Sequence, residues 1–161
     1  MPEIERLHLD VARQELIGSL GAKEMLRFPV STASRGLGCR EGSFQTPHGA
    51  HRVQLKIGAG LPMGAIFRGR RWTGEVLDEA IRRRFPDTDW VLTRILWLQG
   101  LECGVNRGGG VDTLRRFVYV HGTHEEDLVG RPASYGCVRM RNTDIALLFD
   151  RVPAGCPIQI E

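Results

Sequence analysis

Lysine is almost missing from this chain. Lys and Arg number 22 against 19 Asp and Glu, yet only Lys23 and Lys56 are lysines. A net charge of +3 is too slight to imply a nucleic-acid partner, and no aromatics are interleaved with Arg68, Arg70, Arg71 or Arg82–Arg84 to stack bases. Arginine's planar fork suits carboxylates, which leaves two readings: a basic cleft for an acidic peptide, or a solvated, ion-paired surface. No apolar run approaches the roughly 18 residues of a membrane-spanning helix, so no membrane partner is expected. The start, MPEIERLHLD, has neither the basic nor the apolar segment of a secretory signal. The expected location is the cytoplasm, or the periplasm if a leader has been removed. Cys39, Cys103, Cys137 and Cys156 contain no C-x-x-C, which argues against a zinc ribbon, and cytoplasmic thiols stay reduced. The glycines at 108–110 lack the G-x-x-x-x-G-K-[ST] pattern of a phosphate loop.

What is present describes one ordinary globular unit, residues 1–161, 42% apolar and 25% charged. Twenty glycines imply many turns and hence many short strands. Strands are expected around Ile4–Leu9, Glu15–Leu20 and Met25–Ser31, with Pro29 near an end. A long Gly/Ser/Thr-rich loop follows, over Ser31–Gly49. Val53, Leu55 and Ile57 alternate with polar residues as in a half-buried strand. Residues 58–74 read as turn-rich. Val76, Leu77, Ala80 and Ile81 suggest a short helix over Glu75–Phe85, with arginines at its C-terminus. Trp90–Leu98 reads as a central strand. Ile145, Leu148, Phe149 and Val152 mark a helix that Asn142 can cap and Pro153 and Gly155 stop. Cys156–Ile160 closes the chain as a strand. The sum is mainly β, a single-domain β-sandwich with one or two short helices.

The chemistry is concentrated in Tyr119–Met140, YVHGTHEEDLVGRPASYGCVRM. His121 ends an apolar strand on which Phe117, Tyr119 and His121 share one face. Cys137 follows in a tight Gly-Cys turn, far enough along for the chain to round a loop and return. A thiol becomes a good nucleophile when an imidazole takes its proton, so Cys137 is the candidate nucleophile and His121 its base. The amides of Tyr135, Gly136 and Cys137 could hold an oxyanion, and Gly136 lets backbone approach a substrate closely. Ser134 either braces the turn or hydrogen-bonds the histidine. Arg139 either meets a substrate carboxylate or fixes the turn by ion pairing. His121 and His124 form H-x-x-H, which with Glu125 and Cys137 could bind a metal. On a strand the two rings would point apart, so an exposed loop histidine at 124, available to substrate, is the preferred reading. No metal or other cofactor is expected. Cys39, Cys103 and Cys156 lack such a context and read as structural, and Tyr119 reads as a packing residue.

The HGT at His121–Thr123, followed at this spacing by S-x-G-C-[IV]-R-[ML] at Ser134–Met140, resembles the signature of the YkuD-type L,D-transpeptidase domain. Thr46–Gly49, TPHG, resembles that family's T-P-x-G element, and Asn142, Asp144 and the LLFDRV run resemble its helix after the cysteine. The resemblance runs from about residue 5 to the end. It implies that the Gly122 carbonyl holds the second nitrogen of His121, and that part of residues 60–90 covers the site. It further implies a thioester on Cys137 formed from a peptidoglycan stem peptide, at the bond between its diamino acid and terminal D-alanine. Water as acceptor gives an L,D-carboxypeptidase of murein recycling, the favoured expectation; an amine gives an L,D-transpeptidase. A wall-peptide binding module without turnover is the reading outside this class. Arg107, Arg139 and the arginines at 68–71 are the candidate recognition groups. Tyr135 stands where the family commonly has histidine, which bears on acceptor and substrate preference.

Overall fold

The structure, a computed structural model, describes residues 3–161. The first three strands, β1 (Arg6–Asp10), β2 (Glu15–Leu20) and β3 (Lys23–Pro29), form an antiparallel meander. Alternation sends Leu7, Leu9 and Leu16 inward. β4 (Gly49–Ile57) follows the long loop, then a hairpin of β5 (Ala65–Arg68) and β6 (Arg71–Val76), and α1 (Glu79–Arg84). The chain continues with β7 (Val91–Gly100), β8 (Tyr119–Gly122), β9 (Val138–Met140), α2 (Asn142–Arg151) and β10 (Pro157–Ile160).

All ten strands belong to one hydrogen-bonded sheet, ordered β3-β2-β1-β10-β4-β7-β5-β6, with β8 branching from β7 and β9 pairing β8. The two packed faces of the expected sandwich therefore belong to one sheet folded over its core. Leu7, Leu9 and Ile158 from one end meet Val120, Val138 and Met140 from the other. Helix α2 seals this core with Ile145, Leu148 and Phe149, each buried side chain contributing roughly 1.5–3 kcal/mol.

Three local expectations give way. Residues 65–76 are a hairpin, where their glycines suggested only turns, and β6 takes Val76 out of the expected helix. α1 begins instead after Asp78, whose carboxylate accepts the Ile81 N–H at 2.8 Å. In β4 a register shift between Val53 and Leu55 breaks the alternation, so Val53 is buried while Leu55 is 47% exposed. Asn142 is the first residue of α2, not its cap. Its side chain turns inward, accepting from Thr93 Oγ1 at 2.5 Å and donating to the Thr123 carbonyl at 2.8 Å. The Glu126 carboxylate takes the Asn142 N–H in its place. No helix among the described residues is long and apolar enough to cross a membrane.

Candidate active site

β8 and β9 run parallel, with Val120 opposite Val138 and His121 opposite Arg139. Val120 and Val138 face the main core. By alternation Tyr119, His121, Cys137 and Arg139 share the other face. Cys137, one residue before β9, is thus a diagonal neighbour of His121, a placement that spans about 7–8 Å between backbones and lies within reach of side chains.

The His121 ring is buried and oriented. Its Nδ1 lies 2.7 Å from the Gly122 carbonyl, an acceptor, so Nδ1 carries the proton and Nε2 keeps its lone pair. Burial holds the imidazole below its ordinary pKa, a trend the Gly122 contact opposes. Gly122 itself tolerates no side chain: a Cβ there would lie 2.3 Å from Asn142 Oδ1 and 2.8 Å from the Leu92 carbonyl.

Cys137 is half-buried. Its sulfur accepts from the Tyr119 N–H at 3.4 Å and donates to the Phe117 carbonyl at 3.5 Å. It makes no hydrogen bond to His121. Burial raises the thiol to about 11, against the opposing pull of the Tyr119 amide and of Arg139 and Arg116. Sulfur and imidazole therefore rest as a neutral thiol and a neutral base on one face.

The turn before Cys137 is held from several sides. The Ser134 hydroxyl donates to the Cys137 carbonyl at 2.5 Å and accepts the Gly136 N–H at 3.2 Å. Ser134 thus braces the turn and does not bond the histidine. The brace occupies the Gly136 amide and removes it from the expected oxyanion trio, leaving the N–H groups of Tyr135 and Cys137. Gly136 has φ +135°, where a side chain is strained. Thr46, from the TPHG element, donates to the Gly136 carbonyl at 2.9 Å and accepts the Ala33 N–H at 3.0 Å. Ser31 and Ala33 bridge Arg139 and Ser134, so the first long loop forms the outer edge of the site. Gln14 and Thr32 exchange hydrogen bonds at 2.6 and 2.9 Å and fix that loop.

Arg139 is committed to structure. Its side chain is 3% exposed, donates to Asp89 Oδ1 at 2.7 Å and lies 3.5 Å from Glu125 Oε1. Tyr135, 65% exposed, stacks over that guanidinium at 5.7 Å. Arg70, at the tip of the β5–β6 hairpin, donates to the Tyr119 hydroxyl at 3.1 Å and lies over the rings of Trp97 and Phe117 at 4.9 and 4.6 Å. The hairpin from the expected covering region is thereby latched to the aromatic wall beside Cys137. Arg107 is exposed in the loop after β7, bridges Cys103 and lines neither cleft beside Tyr135. His124 is not an exposed loop residue. Its side chain is largely buried, Nδ1 has no hydrogen-bond partner, and burial lowers its pKa. Among the described residues no group of three His, Cys, Asp or Glu could hold a metal.

Two clefts flank Tyr135. One, about 290 Å³, is lined by Pro86, Asp87, Asp89, His124, Glu125 and Tyr135. The other, about 360 Å³, is lined by Glu41, Phe44, Arg115, Arg116, Phe117 and Tyr135. Asp89, Arg116 and Thr46 were not among the expected site residues. Arg116 reaches the Gln45 carbonyl at 2.6 Å, yet in sequence nothing separates it from Arg115. For Thr46 the TPHG likeness was the available signal.

Residues 5–160 match the profile of the YkuD family, described as the L,D-transpeptidase catalytic domain. Over 45 residues the chain is 47% identical to the "Probable L,D-transpeptidase ErfK/SrfK" of Salmonella typhimurium, a stretch covering 28% of this chain and 15% of that protein. Over 44 residues it is 46% identical to the "Probable L,D-transpeptidase YbiS" of Escherichia coli, covering 27% and 14%. The fold resembles that of L,D-transpeptidase 3 from Mycobacterium tuberculosis, with a TM-score of 0.60 at 14% identity, over 99% of this chain and 60% of that one. It also resembles an L,D-transpeptidase of Enterococcus faecium, with a TM-score of 0.59 at 14% identity, over 99% and 50%. The chain thus spans 60% or less of these solved relatives and a far smaller part of the curated ones. Matched to the profile over nearly its whole length, it belongs to the YkuD family of L,D-transpeptidase catalytic domains.

Proposed function

We propose that this protein opens the L,D bond between the diamino acid and the terminal D-alanine of a peptidoglycan stem peptide, through a thioester on Cys137. The observation that carries the reading is His121, its Nδ1–H bound to Gly122 and its Nε2 lone pair on the face it shares with Cys137. Rotation of the Cys137 side chain away from Phe117 brings the sulfur toward Nε2. Catalytic hydrogen bonds commonly tighten only once substrate is bound. His121 takes the thiol proton as sulfur bonds to the carbonyl carbon. The oxygen becomes an oxyanion facing the Tyr135 and Cys137 amides, donors of a kind that account for ~10²–10³ in rate. The C–N bond breaks and His121 returns the proton to the departing D-alanine amine. Water then adds to the thioester with His121 as base, and the S–C bond breaks to give the shortened acid and the free thiol.

Water as acceptor makes the protein an L,D-carboxypeptidase, acting on soluble muropeptides during murein recycling in the cytoplasm. One observation favours a second reading, transpeptidation: the cleft beside Arg139 carries Asp87 beyond the two carboxylates that Arg139 matches, a surplus negative charge that would attract an ammonium acceptor. The test is incubation of the reduced protein with a stem tetrapeptide, followed by mass. Loss of one D-alanine without dimer supports hydrolysis, and a dimer that has lost D-alanine supports transpeptidation. No thioester, with tetrapeptide binding unchanged in Cys137→Ala, leaves a binding module and overturns both.

A further inference from the structure

Arg116 is a cation without a counter-ion. It is half-buried, and its guanidinium donates to three neutral acceptors: the Gly38 carbonyl at 3.2 Å, Ser43 Oγ at 3.3 Å and the Gln45 carbonyl at 2.6 Å. A guanidinium has five N–H donors, so part of the fork remains unused. No carboxylate among the described residues forms an ion pair with it. Cys39, Cys137 and Glu41, which lines the same cleft, act on it only at longer range. A partly desolvated charge is costly unless an opposite charge meets it.

The other arginines around Tyr135 are already engaged. Arg139 is paired with Asp89 and Glu125, and Arg70 lies on Trp97 and Phe117. Arg115 is exposed, so its charge stays in water. Arg116 alone combines an unmatched charge with contact to the nucleophile's turn. The Gln45 carbonyl that it grips lies 3.4 Å from where a Cβ on Gly136 would stand. The next residue, Phe117, supplies the carbonyl to which the Cys137 thiol donates. Above the guanidinium, Phe44, Phe117 and Tyr135 present exposed rings as apolar walls.

We propose that Arg116 anchors the free C-terminal carboxylate of the substrate's departing residue, so that the site selects peptides ending one residue beyond the scissile bond. This rests on the function proposed above and names the group that sets its specificity. The carboxylate supplies the missing anion. The cleft on the other side of Tyr135 offers no such partner: the Arg139 beside it is already matched by Asp89 and Glu125, and Asp87 adds a further negative charge.

The test compares a stem tetrapeptide acid with its C-terminal carboxamide. Turnover is read on the wild type, Arg116→Gln and Arg116→Lys, and affinity is read in a Cys137→Ala background. A charge-assisted contact predicts that the wild type prefers the acid by about 10–100-fold. Arg116→Gln brings the acid down to the level of the carboxamide, and Arg116→Lys keeps part of the preference. If Arg116 only clamps the 38–45 loop, Arg116→Gln lowers acid and carboxamide together and the ratio survives, which overturns the proposal. Equal use of both peptides by the wild type, or no binding of either, overturns it as well. A preference for the acid in Cys137→Ala without any thioester in the wild type sinks the reaction and keeps the anchor. A thioester without that preference does the reverse.

Discussion

The two sides of Tyr135 differ in what their charges are doing. On one side Asp89 and Glu125 are spent on Arg139, which is almost wholly buried and sits on β9 two residues after Cys137. That network ties the β9 strand to the segment before β7 and to the loop after β8. On the other side Arg116 holds a loop through neutral carbonyls and keeps its charge unmatched. Both arginines lie near Cys137 and both favour its thiolate. Only the second has capacity left for a ligand. Counting arginines in the sequence cannot make this distinction, because it depends on which carboxylates the fold brings within reach.

The largest expected effect separates the reaction from both clefts. Cys137→Ala abolishes the acyl-enzyme, read as loss of the mass adduct with tetrapeptide, while peptide affinity persists. His121→Gln follows, with turnover falling by ~10²–10⁴ as expected for loss of a general base; a near-normal rate would move the base elsewhere. The comparison itself is tested by removing one charge from each side. Asp89→Asn leaves the buried Arg139 with only the longer Glu125 contact and costs about 2 kcal/mol of stability. Arg116→Gln gives up hydrogen bonds to neutral acceptors and costs about 1 kcal/mol. Equal losses in denaturant titrations would erase the distinction drawn here.

The mildest perturbation is pH. The acidic cleft contains His124 and the shared face contains His121, whereas no histidine lines the Arg116 cleft. Burial lowers both histidines in the fold below the ordinary imidazole value of 6.5. As pH falls, the unfolded chain therefore takes up these protons first. The stability they contribute is full above 6.5 and is lost below it. Cys137, raised to about 11 from 9.0, works in the opposite sense: its contribution is full below 9 and fades as pH rises toward 11. Melting temperatures from pH 5 to 10 should fall at both ends, and His121→Gln should flatten the acid side.

Much of this was legible in the chain. Strand alternation in β1 and β2 and the helical spacing of α2 are read directly, because each buries one regular face; β8 is buried on both faces, and Phe117, expected on its Tyr119–His121 face, lies before the strand at φ +56° with its ring exposed. That His121 and Cys137 come to share one face was legible from the motif, which sets the spacing between strand and returning turn. Leu55 was misread because a bulge resets the alternation locally. The hairpin at 65–76 was missed because its glycines signal turns more strongly than its short strands signal pairing. Asp89 and Arg116 were invisible for another reason: their roles arise from contacts 50 and 71 residues away in sequence.

The same separations govern when the thiol acquires its setting. Thr46 meets Gly136 across 90 positions and Ser31 meets the Arg131 carbonyl across 100. Closing spans of that length is slow relative to local structure. A nascent or clipped polypeptide would therefore carry a sulfhydryl without the oriented imidazole beside it, and the two side chains come to share one face only after the first third of the chain has docked against its last.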